Sequence, residues 1–504
     1  MAPLKSNSEK SNAFHITPPP LYREIAMLLV IVSAQAMVQA LLAQGIFITS
    51  IIREEFHTSV ADATWGPAAY GLTSGTFMLP AGRIGDMYGH RVCLVAALII
   101  IALSSLMAGL SVYAHSFVFY AVCRGLQGVG SAAIVPCALA LLGSTYREGP
   151  RKNLVFSLYA FGSPAGWVLG CVFSALFAQL AWWPWMFWTT TIVCMVLAAA
   201  TALVVPQTRH SSGLQDDSQR PKFHPINTLA GVSGLVLFCF AWVRAPATGW
   251  QDAECIATLC VGVALCVAFV FLERMVDHPL LPVRELSWEG GSALLVTGLA
   301  WSSFGITVFY VVTFLVELQG ESLLLAAAKQ VPVLPLGLAA SLLNTFLMAR
   351  GFNGAEILTL ATVWFVVDSI LLATIPLYQL YWKQLFWFFV VAPFAMDLSF
   401  PAATLLLSQS VPPERQGIGA SLVGTVVYYS QALGLGIAGT VEAYTAQPNT
   451  LRGFRVSLYT SIGLSGASLV AAAMTLVAIL IRRKEAAKED TSADIGDEKA
   501  IRND

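Results

Sequence analysis

The chain has 504 residues, 57% hydrophobic and 11% charged, with a formal net charge of -1. Soluble domains carry roughly a quarter charged residues, so much of this surface is expected to face lipid. The balanced charge gives no reason to expect a nucleic-acid partner, whose phosphates call for a basic excess.

Residues 1–24 are polar, carry Pro18, Pro19 and Pro20, and read as a cytoplasmic N-terminal tail. The first apolar run is too long for a signal-peptide core. A bilayer core of about 30 Å needs about 20 apolar residues per helix. On that ruler, spans fall near 25–48, 63–80, 92–112, 117–142, 154–177 and 184–206, an N-terminal six-helix bundle over 25–206. A cytoplasmic linker and two inserted transmembrane helices, near 226–246 and 254–273, occupy 207–290. Spans near 291–316, 322–348, 355–377, 384–409, 417–440 and 457–481 make a C-terminal six-helix bundle over 291–481. Residues 482–504 are charged and aperiodic, as expected of a disordered cytoplasmic tail. Continuously apolar runs exclude a barrel of short alternating strands. The fold class is therefore an all-α integral membrane protein of fourteen helices.

Basic residues test the count, because cytoplasmic loops carry an excess of Lys and Arg. With the N-terminus inside, 21 of the 28 basic residues lie in inner loops and tails, 5 lie outside and 2 within spans. An odd number of spans would spoil that asymmetry. A weak internal repeat points the same way. Pro136–Ser144, followed by Glu148, resembles Pro401–Ser410, followed by Glu414. These stretches end spans 4 and 12, eight helices apart, as two six-helix halves separated by an inserted pair would have it.

Nine scattered cysteines include no C-x-x-C pair and give no disulfide or zinc pattern. The seven histidines fall in tails, loops or span edges, which argues against a membrane haem or metal enzyme. No G-x-x-x-x-G-K-[ST] phosphate loop is present, which disfavours an ATP-driven pump. No enzyme activity, metal or cofactor is expected.

Away from the span ends and loops, the charged residues inside spans are Arg124, Lys329, Asp368 and Asp397. Such residues are functional candidates by default. Arg124 is read either as an anion or proton-tuning group or as a structural arginine bonded to carbonyls. Asp368 and Asp397 are alternative proton carriers. Asp397, four residues before Pro401, is preferred because a helix interrupted there would open its backbone toward a cavity. Lys329, near Pro332 and Pro335, is expected to neutralise one of these acids or to meet an anionic substrate; a static buried ion pair is the alternative. Gln35, Gln39, Trp301, Tyr310 and Tyr428 are expected to line a substrate cavity, although most aromatics in such helices simply pack.

Three motifs carry a family resemblance. Between spans 2 and 3 the chain reads Gly82-Arg83-Ile-Gly-Asp86-Met-Tyr-Gly89-His-Arg91. This resembles the G-x-x-x-D-x-x-G-x-R/K cytoplasmic loop of the major facilitator superfamily. Its glycines allow tight turns and its aspartate pairs with a cation or caps a helix. The resemblance implies a gating loop that latches the two halves. Arg124-Gly-Leu-Gln-Gly128-Val-Gly130 is similar to the family's R-x-x-x-G-x-G motif in the fourth helix. Gly162-Ser-Pro164-Ala-Gly166-Trp-Val-Leu-Gly170 is similar to the antiporter motif of helix 5. The usual Gly-Pro dipeptide is absent there, since Pro164 follows Ser163. Trp182-Trp-Pro-Trp185 suits the outer interface, where indoles favour the headgroup layer.

Together these features resemble the fourteen-helix drug:H+ antiporter branch over nearly the whole chain, and most closely fungal members of the aminotriazole-resistance type. Many such exporters carry an aspartate in the first span. Here Gln35, Gln39 and Gln44 stand there instead, which disfavours a purely cationic drug. The resemblance implies proton-coupled export of drugs, toxins or secondary metabolites by a monomer in the plasma membrane, with the vacuolar membrane second. Its partners are then protons, a small-molecule substrate and the bilayer. Proton-coupled import of a nutrient or small ion on the same fold is the alternative.

Overall fold

A computed structural model describes residues 20–146, 149–206, 223–276, 279–281, 284, 286–409, 416–446 and 450–501. The expected tail positions 1–19 and the repeat residues Glu148, Ser410 and Glu414 lie outside the described residues.

The first bundle contains α1 (Leu21–Phe47), the short α2 (Thr49–Glu55) and α3 (Val60–Ala63), and α4 (Trp65–Tyr88). It continues with α5 (His90–Ala114), α6 (Phe117–Thr145), α7 (Pro150–Leu180) and α8 (Pro184–Val204). The inserted pair is α9 (Pro225–Thr248) and α10 (Ala253–Glu273). The second bundle holds α11 (Trp288–Thr313), which passes into a π-helical turn at Phe314–Leu318, and the broken pair α12 (Leu323–Ala328) and α13 (Val333–Ala349). It ends with α14 (Gly354–Ala373), α15 (Leu385–Gln409), α16 (Gln416–Thr445) and α17 (Thr450–Ile501).

Thirteen helical stretches among the described residues are long and apolar enough to cross a membrane. The fourteenth expected span is α4, whose 24 residues reach about 36 Å but are rich in Gly, Ser and Thr. Small residues let transmembrane backbones approach closely, and α4 uses them. The Gly75 backbone meets Tyr429 of α16, and a Cβ on Gly128 of α6 would overlap Thr73 and the Tyr70 carbonyl. Such helices read as less apolar because they are covered by protein rather than lipid.

Local signals set the ends. Gly89, at φ 100°, turns the chain between α4 and α5. Ser116 caps α6 by accepting from the Phe119 amide at 3.3 Å. Asn353 and Glu356 form a reciprocal capping box on α14, with both bonds at 2.9 Å.

The bundles meet along two seams, α4 against α16 and α7 against α12 and α13. The inserted pair covers only the first, because α9 packs on both α4 and α16. There Tyr429 donates to the Leu235 carbonyl at 2.9 Å. Helix α10 exposes Ile256, Val261, Val267 and Phe271, as a lipid-facing helix does.

Three expectations need correction. Helix α1 begins at Leu21, inside the expected tail. Helix α17 continues to Ile501, where a disordered tail was expected; its Lys484-Glu-Ala-Ala-Lys488 run consists of strong helix formers. The interrupted helix is not the one bearing Asp397. Helix α15 runs unbroken through Pro393 and Pro401, and the break falls between α12 and α13, at Lys329–Pro332.

Candidate functional site

A cavity of about 620 Å³ lies between the bundles. Gln35 and Gln39 of α1, Tyr159 and Ser163 of α7, Trp301 of α11, Asn344 of α13, Asp397 of α15 and Tyr428 of α16 all face it. Its rim carries Lys152, Asn153, Ala349 and Ser408, at the helix ends expected to face the cytoplasm. The opposite end is tied shut. Arg53 pairs with Glu317 at 3.2 Å across the two bundles, and the Gln179 side chain accepts from the Leu324 amide at 3.2 Å.

Side chains on the cavity wall are ordered by mutual bonds. Tyr159 donates to Gln35 Oε1 at 2.8 Å, and the Gln35 and Gln39 amides donate to Ser163 Oγ at 3.3 and 3.0 Å. Trp301 donates to Ser399 Oγ at 3.1 Å. Asp397 and Lys152 are the only charged side chains lining the cavity among the described residues. Asp397 is 7% exposed, and its Oδ2 has no hydrogen-bond partner within the protein. Pro401 lacks an N–H, so the Asp397 carbonyl loses its usual helical donor. The carboxylate sits against the Gly337 backbone, where a Cβ would lie 3.4 Å from Oδ2 and would overlap the Pro164 ring.

The remaining expected residues divide. Asp368 is fully buried and both its carboxylate oxygens lack a partner, but it lies outside the cavity lining. Lys329 neutralises neither aspartate; it pairs with Glu321. Glu321 lies in the polar loop before α12, so span hydropathy gave no signal for it. Tyr310 also lies outside the cavity lining, donating instead to Glu442 Oε2 at 2.5 Å.

Arg124 is fully buried. It donates to the carbonyls of Leu41 at 2.7 Å and Gly66 at 3.2 Å and to Gln127, with its guanidinium 5.0 Å from the Tyr70 ring centre. Gly45 makes room for it, because a Cβ there would overlap the guanidinium. It holds α1, α4 and α6 together. Replacing a buried, fully bonded charge leaves its partners unsatisfied, at a cost of about 3–5 kcal/mol. Arg124→Ala is therefore expected to lower the amount of folded protein in the membrane by roughly tenfold or more, as detergent-extracted monodisperse protein will report.

The motif between α4 and α5 faces two ways. Asp86 lies 3.5 Å from His90, across the Gly89 turn, while Arg83 donates to the Pro279 carbonyl at 2.7 Å, in the segment leading to the second bundle. Arg91 donates to the Ala202 carbonyl. Gly82 lies against α16, where a Cβ would come 2.8 Å from Ser421 Oγ. On α7, Gly162, Gly166 and Gly170 form a stripe with a period of four. Each lies against α1, at Val32, Ala36 and Ala40 in turn. The same helix turns Pro164 toward Gly337 of α13.

Residues 27–435 match the family model of the Major Facilitator Superfamily. The chain belongs to this superfamily. It is a multi-pass membrane transporter of small molecules and not an enzyme. Among relatives, the low affinity ammonium transporter of Saccharomyces cerevisiae is 42% identical, with 96% of this chain and 95% of that protein covered. The efflux pump terJ of Aspergillus terreus is 35% identical over 90% of this chain and 88% of its own. The aminotriazole resistance protein of Saccharomyces cerevisiae is 31% identical over 93% and 87%. In the frame of this superfamily, the α7 stripe and Pro164 join a bundle-internal contact to a seam contact beside Asp397.

Proposed function

We propose that this transporter exports small organic molecules in exchange for protons, by alternating access at the plasma membrane, with the vacuolar membrane as a second location. The observation that carries the reading is Asp397, an acid without a bonded counter-ion on the wall of the inter-bundle cavity. An isolated carboxylate closed away from water is costly and is relieved by a proton. Closure of the cavity then favours loading Asp397 with a proton, and opening to water favours release. The units that rock are the monomer's two six-helix bundles, 25–206 and 291–481, with 207–290 bracing one seam. Gly82, Arg83, Asp86, Gly89 and Arg91 form the cytoplasmic latch. Gln35, Gln39, Trp301 and Tyr428 contact the substrate.

Uptake of a small ion is a second reading, favoured by the 42% identity to a protein named an ammonium transporter. Accumulation of aminotriazole and of methylammonium in a pump-deficient host, with and without a protonophore, separates the two. Lower aminotriazole accumulation that the protonophore restores supports export. Raised, protonophore-sensitive methylammonium accumulation supports import and overturns the export reading.

The latch has its own test. An exposed ion pair contributes about 0–1 kcal/mol to stability, so Asp86→Asn is expected to leave the amount of protein in the membrane unchanged. Turnover is expected to fall roughly two- to tenfold, on the scale of ~1 kcal/mol. Unchanged initial rates at matched expression would remove Asp86 from the latch.

A further inference from the structure

Beyond the large cavity, on the side away from its mouth, lies a smaller adjoining pocket of about 40 Å³. Gln39 and Met396 line both compartments and form the wall between them. The pocket's far side is Gln330, in the break between α12 and α13. No charged side chain lines it among the described residues.

Gln330 is 1% exposed, and its amide orientation is fixed by chemistry. Trp167 Nε1 can only donate, and it lies 2.7 Å from Gln330 Oε1. The Gln330 NH2 group is therefore turned away from Trp167, and it has no partner within the protein. Gln39, 7% exposed, spends its NH2 on Ser163, leaving its Oε1 unpartnered. One small compartment thus offers a free amide donor and, at its entrance, a free amide acceptor. Leaving such buried groups unpaired costs about 1–3 kcal/mol, which a matching ligand group recovers. The volume admits only about three water-sized groups, so an edge of a molecule fits and a whole drug does not.

We propose that this pocket is a second, outer subsite of the transport path, which takes the neutral donor–acceptor edge of a substrate such as an amide, a urea or an N–H azole. Gln330 is its specificity-determining residue. The assignment rests on the export reading for the path itself, while the chemistry of the subsite is independent of transport direction. Asp397 serves the proton in the large cavity, and Gln330 adds a contact for the neutral substrate in the second compartment.

The test uses the full chain in proteoliposomes. Val333, which lines the same pocket, is replaced by Cys, and its reaction with methylmercury, a thiol reagent small enough to enter, is timed against the unsubstituted protein as background. Aminotriazole, which carries ring acceptors and N–H donors, is expected to slow the reaction at least threefold. Methylammonium, a donor with no acceptor, is expected to leave it unchanged. Adding Gln330→Leu is expected to abolish the protection. In cells, Gln330→Leu is expected to raise the KM for aminotriazole export roughly two- to tenfold, the scale of one hydrogen bond, with the maximal rate within twofold. Equal protection by both compounds, no protection, or protection that survives Gln330→Leu overturns the subsite. Protection without export in cells leaves the subsite standing and overturns the export reading instead.

Discussion

Asp397→Asn is expected to abolish uphill transport while leaving downhill exchange nearly intact. One proton moving through 100 mV supplies about 2.3 kcal/mol, enough to hold a substrate gradient of about fifty-fold. Without that carboxylate on the cavity wall, that gradient should collapse to unity. Asparagine matches aspartate in shape, and the Oδ2 it replaces bonds nothing in the protein, so the fold loses little. Proteoliposomes report both quantities: accumulation driven by an imposed pH gradient, and counterflow without one. Asp368→Asn is the control, because Asp368 is equally buried but lies off the cavity. A gradient that survives Asp397→Asn and vanishes in Asp368→Asn would move the proton to α14.

The helical count was legible because each lipid-facing run must satisfy its own backbone and therefore reads as a continuous apolar block. The start of α6 fell at the expected residue 117, whereas α4 runs eight residues past the expected end of its span at 80, up to the Gly89 turn. What the linear chain hid was pairing. Lys329 and Asp397 both read as isolated charges in apolar runs, yet the partner of Lys329 is Glu321, which belongs to a loop. The cavity residues Gln35, Gln39, Trp301 and Tyr428 were legible as polar or amphipathic groups among aliphatic neighbours. Tyr310 carries the same signal and lies outside the cavity lining, because the rotation of α11 turns it toward Glu442. Arg124 was recognisable as costly and as either functional or bonded to carbonyls, but not which carbonyls, those of Leu41 and Gly66 on two other helices. Gln330 was not singled out: it sits inside the expected span 322–348 next to Lys329, and its role shows only once Trp167 is placed beside it.

Gly337→Ala is expected to arrest transport almost completely in a protein that still reaches the membrane. The added methyl would overlap the Pro164 ring and touch Asp397. The overlapping group is not the far end of a flexible side chain, since a proline ring cannot swing away. Overpacking of this kind costs about 1–3 kcal/mol, and here the cost falls on one state. The α7–α13 seam must close in this conformation and rearrange in the other, so strain on the closed seam shifts the population by about five- to a hundredfold. Ser157 and Thr345 report the seam directly, because their hydroxyls lie 2.7 Å apart across it. With both changed to cysteine, oxidative cross-linking should be efficient in the parent and fall severalfold once Gly337→Ala is added. Pro164→Ala removes the ring and should restore part of both the cross-link and the transport. Cross-linking that stays efficient in the Gly337→Ala protein would show that the seam tolerates the methyl, and any transport defect would then have to come from the contact with Asp397 alone.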